Sequence, residues 1–370
     1  MEMIKVNVLT EYKSPNSAAF NLPLISYKHD LKDVGIDMKI IYKISSDIFN
    51  CDVLFINSKF FRKDWGEDGA KVFSFLNQAK SKTNYVAWFD ITDSTGTCQF
   101  QVLPYVDKYY KSQLLKDKNL YTQKMYGSRI YTDYYHKSNS VTDEAPIYSD
   151  IDFNIEYLDK LRVSWNSGLG HYSQSLIGDM RKNVYRNSGR MLSAKIPHSW
   201  VSPNLDREID FSARFGISYK RQTVRYQREQ IKKLIPEISG LPKLTRKKYF
   251  SELSKSKLMI APFGFGEITL REFEGFISGC LILKPNMQHI ETWPNFYLSD
   301  KTIIEHEWDL SDFIEKLEDC YTKYSDYLDV ARNGQNVYKK YVNPLTGVEL
   351  FVERIVAILS DIKDGISVED

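Results

Sequence analysis

The sequence predicts an α/β protein of two domains, each built on a doubly wound parallel sheet. Three observations carry this expectation: the length, an alternation of β-branched runs with helical stretches, and the restart of that alternation after residue 205. At 370 residues the chain exceeds one ordinary core, which holds about 150 residues.

Residues 4–9 (IKVNVL) read as a strand and the polar stretch 10–19 as a loop. Residues 20–33 carry Leu22, Leu24, Ile25 and Leu31 ahead of Gly35, a helix with a glycine stop. Runs 36–42, 52–56 and 84–89 read as further strands, the last ending at Asp90 and the polar turn 93–97. Strands separated by helical stretches imply parallel crossovers. Residues 115–205, rich in Tyr, Ser, Asn and Lys, read as an irregular connection with insertions. Strand 209–215, basic helix 223–234, helix 245–254, strand 257–261, helix 269–278 and strand 281–284 follow, then closing helices 310–321 and 350–362. The expected division is therefore 1–190 and 205–345, with a tail, 346–370, whose helix packs back toward the first domain.

Composition excludes some classes. With 42% hydrophobic and 26% charged residues the chain is that of a soluble globular protein. Fifty basic against forty-eight acidic residues give +2, so no nucleic-acid partner is expected. Cys51, Cys98, Cys280 and Cys320 are far apart and form no CxxC pair, which argues for a reducing compartment and against a zinc site. The N-terminus is charged and no apolar run approaches the ~18 residues of a membrane span. A cytoplasmic protein is expected, with peripheral contact at the inner face of a membrane left open. The twenty-five tyrosines suit sugar stacking and ordinary packing alike.

The informative stretch is 256–285, SKLMIAPFGFGEITLREFEGFISGCLILKP. A buried strand runs into Gly264 and Gly266, and Thr269 with Glu272 three residues on makes a capping box at a helix start. Such a terminus offers free amides and the positive dipole end, which favour a phosphate. At the carboxyl ends of strands in a doubly wound sheet, ligands bind. Leu270, Phe273 and Ile277 form the apolar stripe, with Glu274 beside it. That carboxylate serves either the ribose hydroxyls of a nucleotide or an ion pair with Arg271 or a nearby lysine.

This segment resembles the C-terminal nucleotide-sugar-binding part of GT-B glycosyltransferases, especially bacterial polysaccharide enzymes and the exostosin-like group. Ser256, Lys257, Pro262, Gly264, Gly266, Arg271, Glu274, Gly279, Cys280 and Pro285 carry the resemblance over about thirty residues. It implies a GT-B fold, two Rossmann-like domains facing across a cleft, with Glu274, Arg271, Glu267, Gly264, Gly266 and Thr269 at the donor. Many retaining members carry a glutamate eight positions before the second; here Gly266 falls there and Glu267 lies one residue off. Either Glu267 substitutes or the enzyme does without, so the stereochemical outcome stays open.

The resemblance also implies a basic group for the donor phosphates. Arg214, at the end of a strand, and Arg225 or Arg228, on the next helix, are candidates, since guanidinium binds phosphate oxygens bidentately. A solvated basic face with Lys220 and Arg221 is the alternative for the helix. Transfer to a hydroxyl needs a base at the cleft. Asp93 and Asp90, at the end of the third strand run, are candidates, the alternative being an Asx-type turn, and His29 is a third. The stretches 12–19 and 165–170 are candidate acceptor or interdomain contacts. No GxGxxG follows the first strand, and no GxxxxGK[ST] or HExxH occurs, which disfavours a nicotinamide dehydrogenase, a P-loop enzyme and a zincin.

The expected activity is transfer of a sugar from a nucleotide-sugar donor to a hydroxyl of a glycan or lipid-linked glycan, in surface polysaccharide or lipopolysaccharide synthesis. The donor is a co-substrate; no cofactor and no metal are expected, because a helix terminus and arginines would stabilise the leaving phosphate. The alternatives are a sugar-nucleotide epimerase of GT-B architecture and a non-catalytic carbohydrate-binding protein.

Overall fold

A computed structural model describes residues 3–66, 68–170, 176–189 and 199–364. The expected end of the first domain at 190 and the tail beyond 364 lie outside the described residues.

The first sheet has six parallel strands in the order β2-β1-β3-β4-β5-β7. These are β1 (Ile4–Leu9), β2 (Ile36–Ile41), β3 (Val53–Asn57), β4 (Tyr85–Asp90), β5 (Lys108–Lys111) and β7 (Leu161–Val163). Alternate residues feed opposite faces. Leu54, Ile56, Val86 and Trp88 pack under α3 (Ala70–Lys82). Val53, Phe55, Ala87 and Phe89 pack beneath α1 (Pro15–Ser26). The expected helix 20–33 starts earlier, because Ser14 caps it and Pro15 occupies its first turn, and is divided at Tyr27 from α2 (Lys28–Asp33).

The second sheet has four parallel strands, in the order β12-β10-β9-β8: β8 (Ile209–Ser212), β9 (Ser256–Ile260), β10 (Leu281–Pro285) and β12 (Ile304–His306). Helices α6 (Gln222–Leu234) and α9 (Phe313–Thr322) cover one face. Helices α7 (Arg246–Lys255) and α8 (Leu270–Ile277) cover the other, and α10 (Tyr324–Val342) bridges the two, with Leu328 and Ala331 in the first cluster and Tyr338 in the second. Both sheets are parallel with helices on both faces, as the GT-B expectation requires; the strand order reverses beside β1 in the first, whereas in the second the four strands follow chain order.

Three features knit the halves together. The short strand β6 (Gln113–Leu115) pairs antiparallel with β11 (Ile290–Thr292). Helix α4 (Ile130–Asn139) comes from the first half of the chain, yet its Tyr131 and Tyr135 lie in the second domain's core with Met259 and Phe263. In return α11 (Thr346–Asp364) closes the first domain, where Phe351, Ile355, Ile358, Leu359 and Ile362 pack against the first sheet. No helix among the described residues is long and apolar enough to cross a membrane.

Candidate active site

The carboxyl end of β9 and the amino end of α8 meet the loop after β4. Between them lies a cavity of about 400 Å³ lined by Asn16, Asp93, Trp165, Arg228, Gly264 and Arg271, among others. Gly266 and Thr269 also line it. A second cavity of about 670 Å³ lies wholly within the second domain, between the loop after β8 and the approach to α7. Arg214, Gly216, Leu241, Lys243, Arg271 and Glu274 contribute to its wall. Arg271 borders both, so the two spaces adjoin at its side chain.

Local structure explains the turn. Glu272 accepts Thr269 N–H at 3.0 Å, and the hydroxyl of Thr269 at 2.9 Å, which fixes the start of α8. Gly264 N donates to Gly266 O at 3.0 Å. A Cβ on Gly264 would stand 3.2 Å from Arg228 Nη2, and one on Gly266 only 1.7 Å from Asp93 O. Glycine at 266 is therefore a steric requirement of the contact between the domains.

Arg228 is the electrostatic centre. It is 2% exposed, yet its hydrogen bonds all go to backbone carbonyls, Phe263 O at 2.5 Å, Gly216 O at 2.9 Å and Pro262 O at 3.5 Å. Its guanidinium lies 4.9 Å from the ring centre of Tyr219. Burial, and then the charge of Arg271, push Arg228 down to about 10. Arg271 itself donates to Arg214 O at 3.1 Å. Among the described residues neither guanidinium has a carboxylate partner. Two neighbouring cations, one of them desolvated, carry a charge that a multiply charged anion would offset.

The remaining predicted residues divide. Asp93 is exposed to the cleft, and Asn16 Nδ2 donates to its Oδ1 at 2.6 Å. Glu274 lines the larger cavity while Arg246 donates to it at 3.2 Å. The others need correction. Asp90 is fully buried, accepting from Tyr109 Oη at 2.5 Å and ion-paired with Lys111 Nζ at 3.0 Å, so it faces the sheet end and not the cleft. His29 sits exposed on α2, which leads into the amino end of β2, the edge of the sheet opposite the cleft. Arg214 is held by Glu252, 2.5 Å away, which neutralises it although it borders the larger cavity. Arg225 pairs with Glu229 one helical turn on, at 3.0 Å, and lines neither cavity. Glu267 also lines neither: it is buried and accepts Thr95 Oγ1 at 2.6 Å and Thr95 N at 3.1 Å.

Arg228 is undervalued and Gln113 missed at the level of sequence, whereas Asn16 and Trp165 lie within the stretches 12–19 and 165–170 named there as candidate contacts, and both line the smaller cavity. A signal existed for Arg228: it falls on the buried stripe of α6 with Val224, Gln227 and Ile231, whereas Arg225 falls off it. Asn16 lies in the first turn of α1, which opens at the carboxyl end of β1.

No protein-family model and no curated protein matches the chain. Among solved structures, an alpha-glucosyltransferase in complex with UDP and a 13-mer DNA aligns over 96% of this chain and 100% of its own, at 8% identity and TM-score 0.43. A glycosyltransferase from Rickettsia africae aligns over 98% of both chains at 11% identity and TM-score 0.42. MnaA of S. aureus, bound to UDP, aligns over 94% of this chain and 98% of its own at 8% identity and TM-score 0.37. Likeness at this level assigns no residue a role. It does correct one expectation, that nucleic acid is excluded as a partner: alpha-glucosyltransferase structures that align with the chain hold DNA. The physical reason is that a net charge of +2 averages the whole surface, and a local basic patch suffices to hold a phosphate backbone.

Proposed function

We propose that the chain is a glycosyltransferase moving a sugar from a nucleotide-sugar donor to a hydroxyl of a glycan or lipid-linked glycan, as surface polysaccharide or lipopolysaccharide synthesis requires. The observation that carries this is Arg228, a buried guanidinium whose partners among the described residues are all carbonyls, beside Arg271 where two cavities adjoin. The larger cavity suits the nucleoside, with Glu274 accepting from the ribose hydroxyls. The donor diphosphate falls between Arg228, Arg271 and the amino end of α8. The sugar then extends into the smaller cavity toward Asp93. There the acceptor hydroxyl gives its proton to Asp93 as its oxygen bonds the anomeric carbon. The electron pair of the breaking bond to phosphate leaves with the diphosphate, whose charge the two arginines meet. On this reading turnover needs no metal and persists in EDTA.

The test is calorimetric titration with UDP, GDP, dTDP, CDP and ADP. One of these should bind the native chain, and Arg228→Ala should weaken it roughly ten- to hundredfold, the worth of charge-assisted hydrogen bonds of about 1.5–3 kcal/mol. Unchanged affinity in a folded R228A variant, or binding of none of the five, would overturn the assignment.

A further inference from the structure

Glu267 has no place in either cavity, yet its carboxyl is wholly buried, an arrangement that is expensive unless both oxygens are used. They are, by one residue of the other domain among the described residues. Thr95 gives its backbone N–H to one oxygen and its hydroxyl to the other. Thr95 belongs to the loop that carries Asp93, and Glu267 follows the turn that carries Gly264 and Gly266. The two loops also touch directly at Gly266, where no side chain fits against Asp93 O.

Each loop is braced from below by a buried lysine. Lys111 donates to Thr92 Oγ1 at 2.5 Å and Thr97 O at 3.0 Å while paired with Asp90. Lys284 donates to Glu267 O at 2.6 Å while paired with Glu272 at 2.7 Å, and Tyr297 Oη donates to the other oxygen of Glu272. Gln113 Nε2 adds a bond to Asp93 O at 2.6 Å. A continuous polar chain thus runs from buried Asp90 through Lys111, the 92–97 loop, Glu267 and Lys284 to Glu272.

We infer that Glu267 is the positioning residue of the cleft: its carboxyl ties the Asp93 loop of one domain to the glycine turn of the other, so that Asp93 and the paired arginines keep a fixed separation. The inference rests on the donor reading for its catalytic consequence, though not for the tie itself. A misplacement of about 1 Å between reacting groups costs up to about a hundredfold in rate, so the tie acts on turnover more than on donor affinity.

The experiment compares the native chain with Glu267→Gln, Thr95→Val and Thr95→Ser. Gln introduces an N–H₂ opposite the Thr95 donors, Val removes the hydroxyl, and Ser keeps both donors. E267Q and T95V should lower kcat roughly ten- to hundredfold with calorimetric affinity for the nucleoside diphosphate within about threefold, T95S should restore it, and the double variant E267Q/T95V should be no worse than E267Q. Amide hydrogen exchange should rise in residues 92–97 and 264–269 together, with β4 and β9 still protected. Should E267Q fail to fold, T95V and T95S carry the comparison. Unchanged kcat and unchanged exchange in the two loops would overturn the inference, as would equal losses of kcat and affinity. If no nucleotide binds the native chain, the donor reading fails, and the exchange measurement still decides whether Glu267 ties the loops.

Discussion

Arg228 and His306 show how burial turns an ordinary side chain into a specific device. Arg228 is desolvated with no counter-ion among the described residues, its bonds going to carbonyls of Phe263 and Gly216. His306 is 1% exposed, with Nδ1 against Glu307 O at 2.8 Å. Burial pushes it down to about 4, from an ordinary value near 6.5. The unfolded chain therefore takes up the proton first as pH falls. The stability His306 contributes is full above pH 6.5 and is lost progressively between there and pH 4. At pH 5 this amounts to about 2 kcal/mol. Denaturant unfolding at pH 7 and pH 5 should show that loss in the native chain and a smaller one in His306→Gln; equal pH dependence in both would exclude His306 as its source.

At the scale of elements, the cleft depends on caps borrowed from distant segments. Helix α6 has no side-chain cap of its own at Arg221. Instead Asp143 accepts Thr223 N and Thr223 Oγ1, both at 2.9 Å. Since Arg228 lies on the second turn of this helix, Asp143→Ala should lower stability by about 1–2 kcal/mol and weaken nucleoside diphosphate binding as well. An unaltered unfolding midpoint would show that solvent replaces the cap.

The elements that were legible had clean periodicity: β1, β3, β4, β9 and β10 emerge from β-branched runs within a residue or so, and the Thr269/Glu272 box marks α8. Strand β5 is not legible in the sequence, because its two lysines interrupt the apolar pattern of a buried strand. Both are buried, made tolerable by Asp361 3.2 Å from Lys108 and Asp90 3.0 Å from Lys111. Helix α10 was passed over for a similar reason: its buried face includes Gly334 and Gln335, and Gln335 donates to Phe276 O and Val201 O. A polar residue can be core when its partner is fixed elsewhere in the chain, and a local pattern does not contain that partner.

Across the whole molecule, each half completes the other's core: α4 from the first half lies in the second core and α11 from the end of the chain lies in the first. Ending the chain at residue 345 would expose the face on which Phe351, Ile355, Ile358, Leu359 and Ile362 are buried. At roughly 2 kcal/mol for each, the loss is on the order of 10 kcal/mol, comparable to the whole stability of a typical domain. That truncation should yield insoluble or unfolded protein; a soluble, cooperatively folding product would show that the first domain stands without α11.

By itself the sequence determined two parallel-sheet halves, the glycine turn, the capped start of α8 and the placement of Asp93 at a strand's carboxyl end, because each of these is set by neighbours within a few residues. Only the tertiary structure decided which charges are free. Arg214, Arg225 and Asp90 are consumed by Glu252, Glu229 and Lys111, while Arg228 is left with carbonyls and Glu267 is turned to the other domain. Arg225–Glu229 spans a single helical turn, but the Arg214 and Asp90 pairs join segments 38 and 21 residues apart and are fixed only when each domain packs, while the partner of Glu267 is fixed only when the two sheets come together.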